Sequence, residues 1–274
     1  MPSAAGRERF RLRRFILAAA LSAVATAAVL LALDHGRLRR EAQRARDVDL
    51  SPIVLTTDIA TVIDLPTGAG NAAEQYDRAL ERLDDERPRY EALTEHLRRT
   101  GVTAEMPLDF ACLEPLVVGT TRRDCRWAEH LPRSRGELDS ERGRLARMLQ
   151  LGRLLAAVSR REALNDRSAE AVQFARRLVV LGWHLMAAPG STPGATGGVP
   201  ACGRPTTVGV DARTAGLTLV RWGAHALARL HTDAGDEGAV DRARALEDDA
   251  ARTGDALAAA RKEGYTEEGS DPLR

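Results

Sequence analysis

The first forty residues constrain this chain more than any other part of it. Arg7, Arg9, Arg11, Arg13 and Arg14 precede a run from Phe15 to Leu33 that holds no charge, with Ser22 and Thr26 its only polar side chains. Asp34, His35 and a second basic cluster, Arg37, Arg39 and Arg40, follow. Nineteen residues at about 1.5 Å each span roughly 28 Å, close to the thickness of a bilayer's hydrocarbon core. In hydrocarbon the backbone must satisfy its own hydrogen bonds, so such a span is a helix. Three readings compete: an uncleaved anchor, a cleavable signal peptide and a buried core helix. The signal peptide draws on Ala25-Thr26-Ala27, a small-x-small pattern. Cleavage after Ala27 would leave Val29, Leu30 and Leu31 at a mature N-terminus, which favours the anchor. Eight of the nineteen residues are alanine, so insertion is only moderately favourable. Arginines at both ends weaken the positive-inside contrast, yet the five in the short tail still favour a cytoplasmic N-terminus. The same five suit anionic lipid headgroups, at about 1 kcal/mol each. An Ala19/Ala23/Ala27 stripe would pack two such helices, but alanine is too common here for it to carry weight.

The whole chain carries +1 and residues 1–14 carry +4, which leaves −3 on residues 34–274. That balance excludes a broadly basic nucleic-acid surface for the domain. Aromatics are only 4 % of the chain, whereas alanine, leucine and arginine abound, a composition that favours helices over sheets. Among forty basic residues only Lys262 is lysine, which reads as GC-rich bacterial coding and says nothing of mechanism. Outside the cytoplasm, Cys112 and Cys125 are a candidate disulfide closing a short loop. Cys202 then remains over or pairs with either of them, and three unpaired thiols are the alternative. No CxxC or HxxxH pair suggests zinc.

The pattern divides the chain into a basic tail (1–14), an anchor (15–33), a juxtamembrane and extended segment (34–66), a helical domain (67–263) and a polar tail (264–274). Residues 51–65 are β-branched and read as a strand or a strap along the domain. Residues 66–70 read as a turn. Asn71 is an N-cap with Glu74 placed for a capping box, and Ala73, Tyr76, Leu80 and Leu83 share a helical face. Pro88 restarts a short helix carrying Tyr90, Leu93 and Leu97, which ends at Gly101. Residues 101–136 read as irregular, with three prolines, two cysteines and Trp127. From about Glu137 a helix carries Leu145, Met148, Leu149, Gly152, Leu155 and Val158. After the turn at 165–167, with Ser168 as N-cap, a second helix carries Ala171, Phe174, Ala175, Leu178, Leu181, Gly182 and Leu185. A turn that short implies an antiparallel hairpin. Residues 189–209 read as a flexible loop rich in Gly and Pro. Helices over 211–232, with Gly216 and Gly223 open to close approach, and over 236–263, with Val240, Ala243, Ala250 and Leu257, complete an all-α bundle of antiparallel hairpins.

No catalytic motif or phosphate loop is present, so no catalytic, cofactor-binding or metal-ligating residue is assigned and no cofactor is expected. His184 beside Trp183 and His225 beside Trp222 are weighed as a paired site, against the plainer reading of two packing or surface histidines. Residues 84–86 and 247–249 read as solvated acidic faces. An enzyme, if this is one, draws its acids and bases from Asp109, Glu114, Asp124, Glu129 and His130.

Leu65-Pro66, Gly70-Asn71-Ala72-Ala73, Tyr76, Ala79 and Leu80 resemble a motif of uncharacterised, exported or membrane-anchored helical proteins of GC-rich bacteria. The hairpin joint at 165–171 and the helix at 177–185 extend that resemblance. It implies an extracytoplasmic helical domain with a tetratricopeptide-like character and no activity, although no 34-residue repeat is visible. The expectation is a single-pass inner-membrane protein of the cell envelope. Its partners are the bilayer and a protein held on the helical surface, with no nucleic acid. The alternatives are an extracytoplasmic enzyme with its site in 101–136 and a sensing ectodomain, the latter disfavoured by so short a cytoplasmic tail.

Overall fold

The structure, a computed structural model, describes residues 26–30, 32–33, 36–37, 53, 55–127, 135–186 and 207–266. The chain is all-α, as predicted. Asn71 opens the domain: its side chain accepts from the Ala73 N–H at 3.2 Å, and α1 runs over Ala72–Asp85. The predicted face of Ala73, Tyr76, Leu80 and Leu83 is buried, while Glu74 stays exposed. Helix α2, Arg87–Thr100, carries Pro88 in its first turn and stops at Gly101, whose φ of 74° suits glycine.

The stretch expected to be irregular contains a helix, α3, over Leu113–Thr121. Pro115, two valines and Gly119 disguise it. Proline is tolerated in a first turn, where the N–H groups have no intrahelical partner, and burial of Leu116 and Gly119 supplies the rest. The expected turn at 66–70 forms strand β1, Gly68–Asn71, which pairs in parallel with β2, Arg122–Asp124. A Cβ on Gly68 would lie 2.6 Å from the Thr121 carbonyl oxygen, so the approach of these segments depends on glycine.

Four long helices follow: α4 over Arg135–Leu164, α5 over Ser168–Met186, α6 over Thr207–Ala234 and α7 over Glu237–Thr266. The predicted α4–α5 hairpin turns through Asp166 at φ 58°, with Ser168 the first helical residue rather than the cap. Between α6 and α7, Gly235 turns at φ 74° and Asp236 accepts from the Ala239 N–H at 3.0 Å. From Leu178 to Met186, α5 is buried on every side. One face joins α1, α3 and α4 in a core with Tyr76, Leu116 and Leu155. The other joins α6 and α7 in a core with Trp183, Val220 and Leu246. The close approach predicted at Gly216 and Gly223 is made against α5. A Cβ on Gly182 would lie 2.5 Å from the Gly216 carbonyl oxygen, and one on Gly223 would lie 2.9 Å from the Val179 nitrogen.

The described part of the 51–65 segment, residues 53 and 55–65, is a strap with a 3-10 turn at Ile59–Thr61. It buries Ile53, Ile59 and Ile63 in the second core, so the packed domain takes in residues before position 67. Its polar fastening overturns one expectation. Asp249, read as part of a solvated acidic face, is buried and accepts the Thr56 and Thr57 N–H groups at 2.6 and 2.7 Å. Burial raises its pKa, but the donors of Thr57 and Thr56 outweigh that and hold the carboxyl below its usual value. Arg213 of α6, also buried, donates to the Ile53 carbonyl.

Residues 26–30 and 32–33 are helical, and Val29, Leu30 and Leu33 are 58, 60 and 56 % exposed. Among the described residues no helix is long and apolar enough to cross a membrane. Phe15 and Arg7, Arg9, Arg11, Arg13 and Arg14 lie outside those residues, as does most of the 189–209 loop.

Two stability outcomes follow from this packing. Gly182→Ala should cost about 1–3 kcal/mol, because two backbones must move apart. Gly254→Ala on α7, where a Cβ meets nothing within 4 Å, should instead stabilise by about 0.5–1 kcal/mol through helix propensity. Urea unfolding followed by circular dichroism reads both, and equal effects would refute the close-contact account. Asp249→Ala should cost about 2 kcal/mol and speed amide exchange at Thr56 and Thr57. In the parent this contribution is complete above about pH 4 and falls away as the carboxylate is protonated at lower pH.

Candidate functional site

The polar groups suited to chemistry gather in two places, one sealed in the core and one open to solvent. In the sealed place α1 supplies Tyr76, α5 supplies Trp183 and His184, and the segment after β2 supplies Cys125 and Trp127. Gly119 of α3 makes room: a Cβ there would lie 2.5 Å from the Tyr76 ring. The Tyr76 hydroxyl lies 2.6 Å from His184 Nδ1. Trp127 stacks on Tyr76 at 5.7 Å between centroids and donates its Nε1–H to the His184 carbonyl at 3.3 Å. Burial pushes Tyr76 well above its ordinary value, with a further push from Cys125. Burial also pushes His184 down to about 4, and the carbonyls of Arg123 and Arg122 oppose this only in part. Both groups are therefore neutral at pH 7. Tyr76 donates to Nδ1, so the ring proton sits on Nε2. That atom makes no hydrogen bond of normal geometry, although the two carbonyls are near enough to favour a proton on the ring. Nothing from solvent reaches His184, which is 0 % exposed. This is a structural knot tying α1 and β2 to α5.

His184 and His225, weighed as a pair, are not brought together. His184 faces α1 in the core, whereas His225 is exposed on α6 and pairs with Glu247 of α7 at 3.0 Å. The candidate disulfide is not made either: Cys112 and Cys125 are separate, buried free thiols. Burial pushes Cys112 up to about 12 and Cys125 higher still, so both are inert thiols at neutral pH. A helix and a strand separate them, which the bare spacing did not reveal. Cys202 lies outside the described residues.

Of the acids proposed for an enzyme site, the three described ones are each engaged by a different arginine. Asp109 pairs with Arg89, Glu114 with Arg82 at 2.8 Å, and Asp124 with Arg126 at 3.6 Å. Its own backbone N–H and the Arg89 guanidinium hold Asp109 below the usual carboxylate range, opposite to the direction a general acid needs. Glu129 and His130 lie outside the described residues. Among the described residues no three His, Cys, Asp or Glu side chains are placed to hold a metal ion.

The open place is a groove of about 590 Å³ between α4, α6 and α7. Ala156, Ala163, Trp222, Ala226 and Leu230 give it apolar walls, and Arg160, Arg221 and Arg229 stand around it. Arg153 adds a guanidinium 6.0 Å from the Trp222 ring centroid. No motif announces this groove. Its one legible trace is the i, i+4, i+8 spacing of Arg221, His225 and Arg229, which aligns them on one face of α6. The arrangement suits binding of an anionic, partly apolar ligand and offers no nucleophile with a base beside it. Together, fold and site define an all-α protein with a sealed polar core and a basic surface groove. Comparison with protein-family models, curated proteins and solved structures finds no match for the chain.

The sealed histidine makes stability depend on pH. Between pH 6.5 and about 4 the unfolded chain binds a proton that the folded one excludes. Stability should therefore fall as pH drops through that window, by at most about 1.4 kcal/mol per unit from this group, and level off below it. His184→Gln should flatten that part of the profile, measured by urea unfolding at several pH values. An unchanged slope would refute the assignment. Tyr76→Phe, which leaves Nδ1 buried without a donor, should cost about 1–3 kcal/mol at pH 7.

Proposed function

We propose that this protein is a single-pass, membrane-anchored component of the bacterial cell envelope whose helical domain holds a protein partner without performing catalysis. In this reading the run from Phe15 to Leu33 crosses the inner membrane. Arg7, Arg9, Arg11, Arg13 and Arg14 remain on the cytoplasmic side against lipid headgroups, and the domain stands outside.

The observation that carries the reading is the pairing of that uncharged run with the state of its described end. Val29, Leu30 and Leu33 sit on a helix with more than half of each side chain exposed. The domain completes two apolar cores without them. Each large apolar side chain left in water forgoes roughly 1.5–3 kcal/mol of burial, and three within five residues point to a different solvent. This supports an anchor over a buried core helix. The likeness of residues 65–80 to exported and anchored helical proteins supports the same placement. The pairing of Asp109, Glu114 and Asp124 with three different arginines supports a binding role over an enzymatic one.

A periplasm-dependent reporter fused after Arg274 should be active in intact cells, and a cytoplasm-dependent one silent. The reverse pattern would overturn the localisation. Crosslinking in membranes before detergent extraction should recover a discrete protein partner, and repeated recovery of the uncrosslinked chain alone would count against the scaffold.

A further inference from the structure

We propose that the groove between α4, α6 and α7 is the docking site for an acidic, extended or helical segment of a partner protein that carries a bulky apolar side chain between its carboxylates. This rests on the partner-binding reading and names the chemistry of the partner.

The first observation is unsatisfied charge. Arg160, Arg221 and Arg229 make no ion pair or side-chain hydrogen bond among the described residues. Elsewhere on the domain Arg82, Arg89, Arg144 and Arg147 each meet a carboxylate. Two acids do line the groove, but Glu247 is taken by His225 and Asp233 reaches none of the three arginines. Among the described residues, then, no carboxylate comes within ion-pair distance of these three arginines, which outnumber the groove's two acids.

The second observation is spacing. Arg221 and Arg229 are eight positions apart on one helix, roughly 12 Å along its axis, and Arg160 faces them from α4. A single phosphate or carboxylate cannot span that distance. Several carboxylates distributed along a peptide can, each with a guanidinium to receive it. The third is the apolar surface between the charges. Trp222 is half-buried and, with Leu230 and the three alanines, forms a recess that takes one large side chain. An aromatic floor flanked by arginines is the composition that concentrates binding energy at protein interfaces.

The test uses the full-length protein in detergent and a fluorescein-labelled synthetic peptide of glutamate and leucine, read by anisotropy. Binding is expected, weakening as salt rises. The Arg221→Glu/Arg229→Glu double variant should bind at least tenfold more weakly. Charge reversal at Arg242 and Arg244, elsewhere on α7, should leave binding within about twofold, which separates the groove from general surface charge. Replacing the peptide's glutamates by glutamine, or its leucines by serine, should each cost about tenfold. Should the double variant misfold by circular dichroism, Arg160→Gln on α4 carries the test, with an expected loss of about threefold. The proposal is overturned if the parent does not bind, if the groove variants bind as the parent does, or if the glutamine peptide binds equally. Displacement by an equal concentration of pyrophosphate also overturns it, since that assigns the groove to a small anion. Recovery of a crosslinked partner from membranes alongside failed peptide binding would sink this inference and leave the scaffold reading standing. Peptide binding without any membrane partner would do the opposite.

Discussion

The contact between the backbones of α5 and α6 at Gly182, Gly216 and Gly223 is the constraint on which the rest of the fold depends. No side chain separates the helices there, so both can contribute to the two apolar cores at once. Helix axes held farther apart by larger residues would open the seam between those cores. The burial of α5 on every side from Leu178 to Met186 follows directly. His184 lies on that fully buried stretch, where Tyr76 of α1 closes over its ring and Trp183 stacks beside it.

Around this seam the structure uses a small number of buried polar contacts to fasten segments distant in sequence. Asp249 joins α7 to the strap, Arg213 joins α6 to the strap, and Tyr76 with Trp127 joins α1 and the β2 segment to α5. A buried polar group is costly unless its partner is present, so each contact selects one arrangement of its elements.

How much of this was legible depended on whether a residue's partner is local. The faces of α1, α2, α4, α5 and α7 were read from spacing, because a helix turns by a fixed angle and its buried side repeats. The Asn71 cap was legible for the same reason, since signal and cause lie within one turn; Gly216 and Gly223 marked a close approach by lacking a side chain, but only the packing shows that it is made to α5. Helix α3 was missed because its stability comes from burying Leu116 and Gly119 against α1, outweighing the poor propensity of Pro115 and two valines. Strand β1 was missed because its only partner lies some fifty residues away. Asp249 was misjudged as solvated because nothing within α7 distinguishes it from Asp248; only the strap does.

The sequence alone determined the helical class, the hairpin order and the uncharged run from Phe15 to Leu33, since hydrophobic period, short turns and charge exclusion are properties of neighbouring residues. The tertiary structure decided that His184 is sealed and His225 exposed, that Cys112 and Cys125 stand apart, and that Asp109, Glu114 and Asp124 each meet a different arginine. It also decided that Arg160 faces Arg221 and Arg229 across a groove whose two carboxylates, Asp233 and Glu247, form no ion pair with them. The reason is the same throughout. Burial, pairing and convergence are set by which helix faces meet, and that depends on the α5–α6 seam rather than on any local run of residues.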